Sequence, residues 1–259
     1  MLSAWPSLGT LPAQDMRRAR EFYEKRLELV AVEERADRSV IYAPGGTRIQ
    51  LFPSRGKPSG DQTQLGFDVT GIRAVIRDLI SKGVQFEEAE YMNFKREGHL
   101  IHIAPYNAAF FCDSEGNSLG IWELESTPAG REAAPLNQCA TQTNLSAQDM
   151  QRARRFYEER LGFTPIEEFA DGGVAYMAGG TQFLVSPTTG KPSGQHPQIA
   201  FVVGNMRREI DALHRIGITT EEPEGAVLFR DSEGNVLSLA EAPWRSTPAQ
   251  LGGQRARKS

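Results

Sequence analysis

Histidines and scattered glutamines are the residues of this chain with the most chemistry to offer. His99 and His102 stand three apart in "GHLIHI", and imidazoles bind transition metals and move protons near neutral pH. On a strand, residues three apart point to opposite faces, so a shared metal would need a turn that the sequence does not declare. A ligand contact by one of the two and a structural role for both stay open. His196 lies two residues before Gln198 at the start of "PQIAFVV"; a pocket-rim place is one reading, and Pro197 blurs the strand edge. His214 reads as a solvated helix residue. Cys112 and Cys139 are the only cysteines and fit neither CxxC spacing nor a disulfide framework. Cys112, in "AAFFCD", reads as a core thiol and not a nucleophile. The sequence has no GxSxG elbow, phosphate-binding loop, dinucleotide-binding glycine run or HExxH.

The elements that would position these residues occur twice. "AQDMRRAREFYEKRL" from Ala13 returns as "AQDMQRARRFYEERL" from Ala147, and "GKPSG" returns from Gly56 to Gly190, both offset by 134 residues. Met16, Ala19, Phe22, Tyr23 and Leu27 fall on one helical face, with Asp15 placed to cap its start. "LVAVEERA", "SVIYAPG" and "TRIQLFP" read as short strands. A second round follows: "QLGFDV", a helix through Ile72, Val75, Ile76 and Leu79 stopped by Gly83, then "VQFEE", "NAAFFCD", a "DSEGN" turn and "SLGIWELE". Each half thus reads β-α-β-β-β twice. "DSEGN" begins at Asp113 and Asp231, only 118 apart, so the first half carries sixteen extra residues around "EYMNFKREGHLIHIAP", a longer loop or a lid. "REAAPLNQCA" has neither period and reads as a linker.

Composition narrows the class. Of 259 residues, 39% are hydrophobic and 24% charged, with a net charge of −4. That suits a soluble protein and supplies no basic field for nucleic acid or anionic lipid. No apolar run approaches the ~18 residues of a membrane span. The start lacks the pattern of a signal peptide, and a cytoplasmic location is expected.

The helix "D-M-x-R-A-R-x-F-Y-E-x-x-L", the later "D-S-E-G-N" and the paired modules resemble the vicinal oxygen chelate superfamily, which includes glyoxalase I, extradiol dioxygenases and bleomycin-resistance binders. The resemblance implies an α+β fold of tandem domains. Each domain would be a pair of βαβββ modules forming a curved mixed sheet with helices outside. It places the first domain at 1–130, the linker at 131–140, the second domain at 141–247 and a disordered tail at 248–259. Enzymes of the superfamily hold a divalent metal on four strand positions per domain, through His, Glu or Gln. Those positions fall on Leu8, Gln50, Gln64 and Gly120 in the first half, and on Gln142, Leu184, Gln198 and Ser238 in the second. Neutral amides bind zinc, iron or nickel far more weakly than imidazole or carboxylate. The ancestral metal site therefore reads as lost. Glu123 and Glu241 differ from the last position by an odd number and face the other way.

These residues lead to a metal-free, cofactor-free protein that binds a small, largely apolar or planar organic molecule in a concave sheet pocket. Pocket candidates are Tyr42, Gln50, Gln64, His102 and Trp122, with Gln142, Asn144, Tyr176, Gln182 and Gln198 in the second half. The alternatives are a metal-independent isomerase, lyase or cyclase in the same pocket, and a metal-dependent glyoxalase- or dioxygenase-type enzyme with atypical ligands. The fused halves would make a pseudo-dimer within one chain, which permits but does not require a homodimer.

Overall fold

The protein is described from a computed structural model over residues 2–55, 63–88, 95–103, 106–127, 134–189, 196–223 and 227–241. The repeated "GKPSG" segments, part of the insertion and the tail lie outside these residues. The first repeat runs β1 (Ser7–Ala13), α1 (Met16–Glu21), β2 (Ala31–Glu34), β3 (Val40–Tyr42) and β4 (Ile49–Pro53). It continues with β5 (Leu65–Asp68), α2 (Ile72–Ser81), β6 (Lys95–Glu97), β7 (Leu100–Ile103), β8 (Tyr106–Cys112) and β9 (Ser118–Leu124). The second has β10 (Thr141–Ala147), α3 (Met150–Arg154), β11 (Pro165–Glu168), β12 (Val174–Ala178) and β13 (Thr181–Pro187). It ends with β14 (Ile199–Val203), α4 (Met206–Arg215), β15 (Val227–Arg230) and β16 (Val236–Glu241). The fold is α+β, strands in mixed sheets with few helices.

Two compact units form, and their limits differ from the halves of the repeat. One joins Met1–Thr10 to Thr143–Ser259, and the other is Leu11–Gln142. Strands β1 and β10 are each divided between them. In the second-repeat unit the strand orders are β15-β16-β14-β1 and β11-β12-β13-β10. In the first-repeat unit they are β1-β4-β3-β2 and β10-β5-β9-β8-β7-β6. The two modules of one unit thus lie in different strand groups. They meet through one core: Leu11, Tyr42, Phe67 and Phe111 in the first-repeat unit, Trp5, Tyr176, Phe201 and Phe229 in the other.

Apolar surface explains both displaced limits. Leu2 and Trp5 are buried in the second core, which draws the first ten residues to that unit. The expected linker is no free tether in its described part. Leu136 and Cys139 are buried in the first core, and Asn137 Oδ1 accepts the Val30 N–H at 3.0 Å.

The described part of the insertion is an added hairpin and not a bare loop, with β6 on β7 and β7 on β8, all antiparallel. "VQFEE" makes only an isolated bridge, Phe86 to Phe111. Glu123 is not a bare surface charge. Its carboxylate accepts the N–H groups of Gly71 and Ile72 at 2.6 and 3.4 Å, capping α2 where Gly71 has no side chain to do so. Helix α4 caps itself through Asn205.

The "DSEGN" turn fastens each unit from inside. Asp113 accepts from the Tyr23 hydroxyl at 2.7 Å and the Asn117 amide at 2.6 Å, while that amide also reaches the Pro12 carbonyl at 3.0 Å. Glu115 accepts the N–H groups of Gln14 and Asp15 and pairs with Arg18, 2.8 Å from Nε. Burial raises the Asp113 carboxyl above the usual range against the pull of these donors. Burial also opposes ionisation of Glu115, but Arg18 and the two backbone amides outweigh it and hold it low.

Candidate functional site

Strand alternation decides which side chains are available to a ligand, because each strand group turns one face to its core. In the first-repeat unit Leu65, Phe67, Leu119 and Ile121 face the core. Gln64, Gly66, Gly120 and Trp122 therefore share the opposite face of β5 and β9, with Gly66 directly paired to Gly120. A Cβ built on Gly66 would lie 1.6 Å from the Trp122 ring, and one on Gly120 would lie 3.2 Å from Phe110 and 3.3 Å from Trp122. The indole is thus laid across two glycines, and only residues without side chains leave it that room. Gln64 is buried. Gln142, half-buried on the adjacent β10, belongs to the same face by alternation with Thr141. Gln50 also faces away from its core, opposite Ile41, but sits in the unit's other strand group.

In the second-repeat unit Asn144 and Gln182 share the face of β10 and β13 that carries Leu184. Both are half-buried, and the Asn144 Oδ1 is enclosed without a hydrogen-bond partner. Gln198 stands at the edge of β14, buried, in the unit's other strand group.

Three of the expected pocket residues are elsewhere. Tyr42 and Tyr176 are fully buried core residues. Their rings stack on Tyr23 and Tyr157 at 5.8 and 5.5 Å, and their hydroxyls donate to Glu24 and Glu158 at 3.1 Å. His102 pairs with Asn107 across β7 and β8, on the face of the core residue Leu100 and opposite to Trp122. Its Nδ1 lies 3.9 Å from Glu125. His99 packs its ring 5.6 Å from that of Phe86, and the exposed His214 bonds Thr220 at 2.9 Å. The sequence reading missed Gly66 and Phe110, although Gly66 holds the same parity as Gln64.

Cys112 is exposed, not a core thiol. Its Sγ–H donates to Glu87 at 3.2 Å. Partial burial and then that carboxylate push it up to about 12, which keeps it a poor nucleophile at neutral pH. Among the described residues no group of three or more His, Cys, Asp and Glu stands together as a metal site. No described helix is long and apolar enough to cross a membrane.

Residues 136–239 match the model of the glyoxalase/bleomycin resistance protein/dioxygenase superfamily. The matched residues lie in the second repeat, and the superfamily is the one that the helix and turn motifs resemble. The fold likeness extends over nearly the whole chain. A candidate dioxygenase from Bacillus subtilis is 18% identical with a TM-score of 0.61, covering 95% of this chain and 89% of its own. Glyoxalase I from Zea mays is 14% identical with a TM-score of 0.59, covering 91% and 92%. At these identities the likeness concerns the fold. No curated protein matches the chain in sequence.

Proposed function

We propose that the chain binds a small, largely planar organic molecule on the Trp122 face of the first-repeat unit, without a metal. The observation that supports this reading is the indole laid over Gly66 and Gly120. The ring lies against the backbone of Gly66 and is only half-buried, and an indole held this way can stack on a planar ligand. The buried Gln64 and half-buried Gln142 add neutral amides that orient a ligand without demanding charge from it. The metal of related enzymes does not fit this chain. Leu8, Gly120, Leu184 and Ser238 occupy half of the implied ligand positions, and the others are uncharged glutamines. Donors of this kind hold a transition metal weakly.

The test is fluorescence titration of the full chain with planar heteroaromatic probes, comparing wild type with Trp122→Phe, alongside mass spectrometry of small molecules retained through purification. Quenching that saturates in the wild type and disappears in Trp122→Phe is the expected result. Stoichiometric metal, removed by a chelator together with ligand binding or activity, would overturn the metal-free reading. A Tm indifferent to EDTA is expected, since a native-state ligand stabilises by RT ln(1 + [L]/Kd).

A further inference from the structure

On its helix side the first-repeat unit holds a cleft of about 360 Å³, walled by α1 and the turn that continues it, by the end of α2 and by the turn after β8. That volume suits a small molecule. None of Gln64, Gly66, Gly120 and Trp122 lines it. The lining is balanced in charge, with the guanidinium groups of Arg18 and Arg26 against the carboxylates of Glu21 and Asp113. Two of these four are fully engaged. Arg18 grips Glu115 through Nε and Nη2 at 2.8 and 3.1 Å, and Asp113 is held by Tyr23 and Asn117.

Arg26 and Glu21 keep capacity to spare. Arg26 donates Nη1 to the Gly83 carbonyl at 2.6 Å, and its guanidinium lies 5.9 Å from the centre of the Phe22 ring. Its Nε and Nη2 edge has no partner among the described residues. That edge is the one that takes a carboxylate in two parallel bonds, as Arg18 shows on Glu115. Glu21 accepts from Lys25 through Oε1 at 3.0 Å, which leaves Oε2. Lys25 first, then Arg17 and Arg26, hold the Glu21 carboxyl below the usual range. Arg26 therefore acts on Glu21 through space, although no ion pair joins the two among the described residues. A lone anion in this cleft would face Glu21 and Asp113, and a lone cation would face both arginines. A molecule charged at both ends would bridge the gap and add no net charge. The second-repeat unit lacks the pair: Arg155 stands where Glu21 does, and Arg160 spends Nη2 on the Ile216 carbonyl at 2.6 Å.

We propose that this cleft binds a free α-amino acid with an uncharged polar side chain. The open edge of Arg26 takes the α-carboxylate, and Glu21 takes the α-ammonium group. Gln85, an exposed neutral amide on the same wall, meets the side chain. The site goes beyond the Trp122 face and does not depend on it.

The experiment is calorimetric titration of the full chain with L-glutamine, with N-acetyl-L-glutamine, which lacks the ammonium group, and with L-glutamine amide, which lacks the carboxylate. Each blocked probe should bind about tenfold more weakly than L-glutamine, because it gives up a charge-assisted contact. Arg26→Lys keeps the charge but removes the two-pronged edge, and should weaken L-glutamine about tenfold. Glu21→Gln should weaken it to a similar extent and leave N-acetyl-L-glutamine as it was. Both side chains are exposed, so these variants keep the fold, and the probe series reads the same two contacts in the unaltered chain. Arg160→Lys, the equivalent change in the second-repeat unit, and Trp122→Phe should leave L-glutamine binding intact. The proposal is overturned if L-glutamine does not bind, if the three probes bind alike, or if Glu21→Gln and Arg26→Lys bind it as wild type does. An equal loss in Arg160→Lys or Trp122→Phe would place the probe outside the cleft and also sink it.

Discussion

The two units agree closely in one region and part company in another. The clasp around the "DSEGN" turn is reproduced almost bond for bond. Tyr157 reaches Asp231 at 2.7 Å, Asn235 reaches Asp231 at 2.6 Å, and Arg152 Nε sits 2.7 Å from Glu233. The faces turned away from the cores share little. Gly66, Gly120 and Trp122 of the first repeat correspond to Ala200, Ser238 and Ala240 of the second, so the indole platform exists once. The clasp serves β1–α1 and β10–α3 junctions, a demand both copies must meet. The opposite faces answer to whatever each unit binds, and nothing requires them to agree.

The largest effect that would test this equivalence is loss of the clasp hub. Asp113→Ala and Asp231→Ala each strand a buried tyrosine hydroxyl and an asparagine amide, and each should cost about 3 kcal/mol. Urea unfolding of both variants reads the two losses, and a difference of more than twofold would break the equivalence. A smaller effect is expected on the divergent faces. Gly66→Ala must push the Trp122 ring aside and should cost about 1–3 kcal/mol with a shift in tryptophan emission. Its mirror, Ala200→Gly, should cost about 1 kcal/mol and leave emission unchanged. The smallest effect concerns Cys112, whose counterpart is Arg230. With its thiol pushed up to about 12, the thiolate fraction at pH 8 is minute and rises about tenfold per pH unit. Iodoacetamide labelling should therefore climb without a plateau from pH 8 to 11, and Glu87→Gln should accelerate it. A plateau near pH 9 would contradict the raised value.

Much of the fold was legible because its signals are local. Asp15 capping α1 through Arg17 and Arg18, and the turn closing on Asp113, follow from residues close in sequence. The faces of β3 were harder, because Val40, Ile41 and Tyr42 are all buried. Without alternation, nothing in "VIY" says that Tyr42 joins the core and Ile41 turns away from it. His102 was misplaced for a related reason: parity carries information only once a strand's limits are fixed, and β7 belongs to an insertion with no second copy to align against. Gln198 and Gln64 were legible through the resemblance, but the burial of both depends on neighbours distant in sequence. The allocation of β1 to two units was not legible at all, since repeat length says nothing about which partner a strand chooses.

That shared strand has a consequence for the order in which the molecule can be made. Ser7 finds its place opposite Phe201, so β1 must wait for β14, a strand synthesised much later. Until then β1 lacks its neighbour on that side, and an unpaired edge of this kind invites pairing with another nascent chain. The first-repeat unit, whose residues are contiguous from Leu11 to Gln142, can assemble during synthesis. The other is completed only by closing most of the chain into a loop, from Ser7 to Phe201, a slow step in which the protein is most exposed to misassembly.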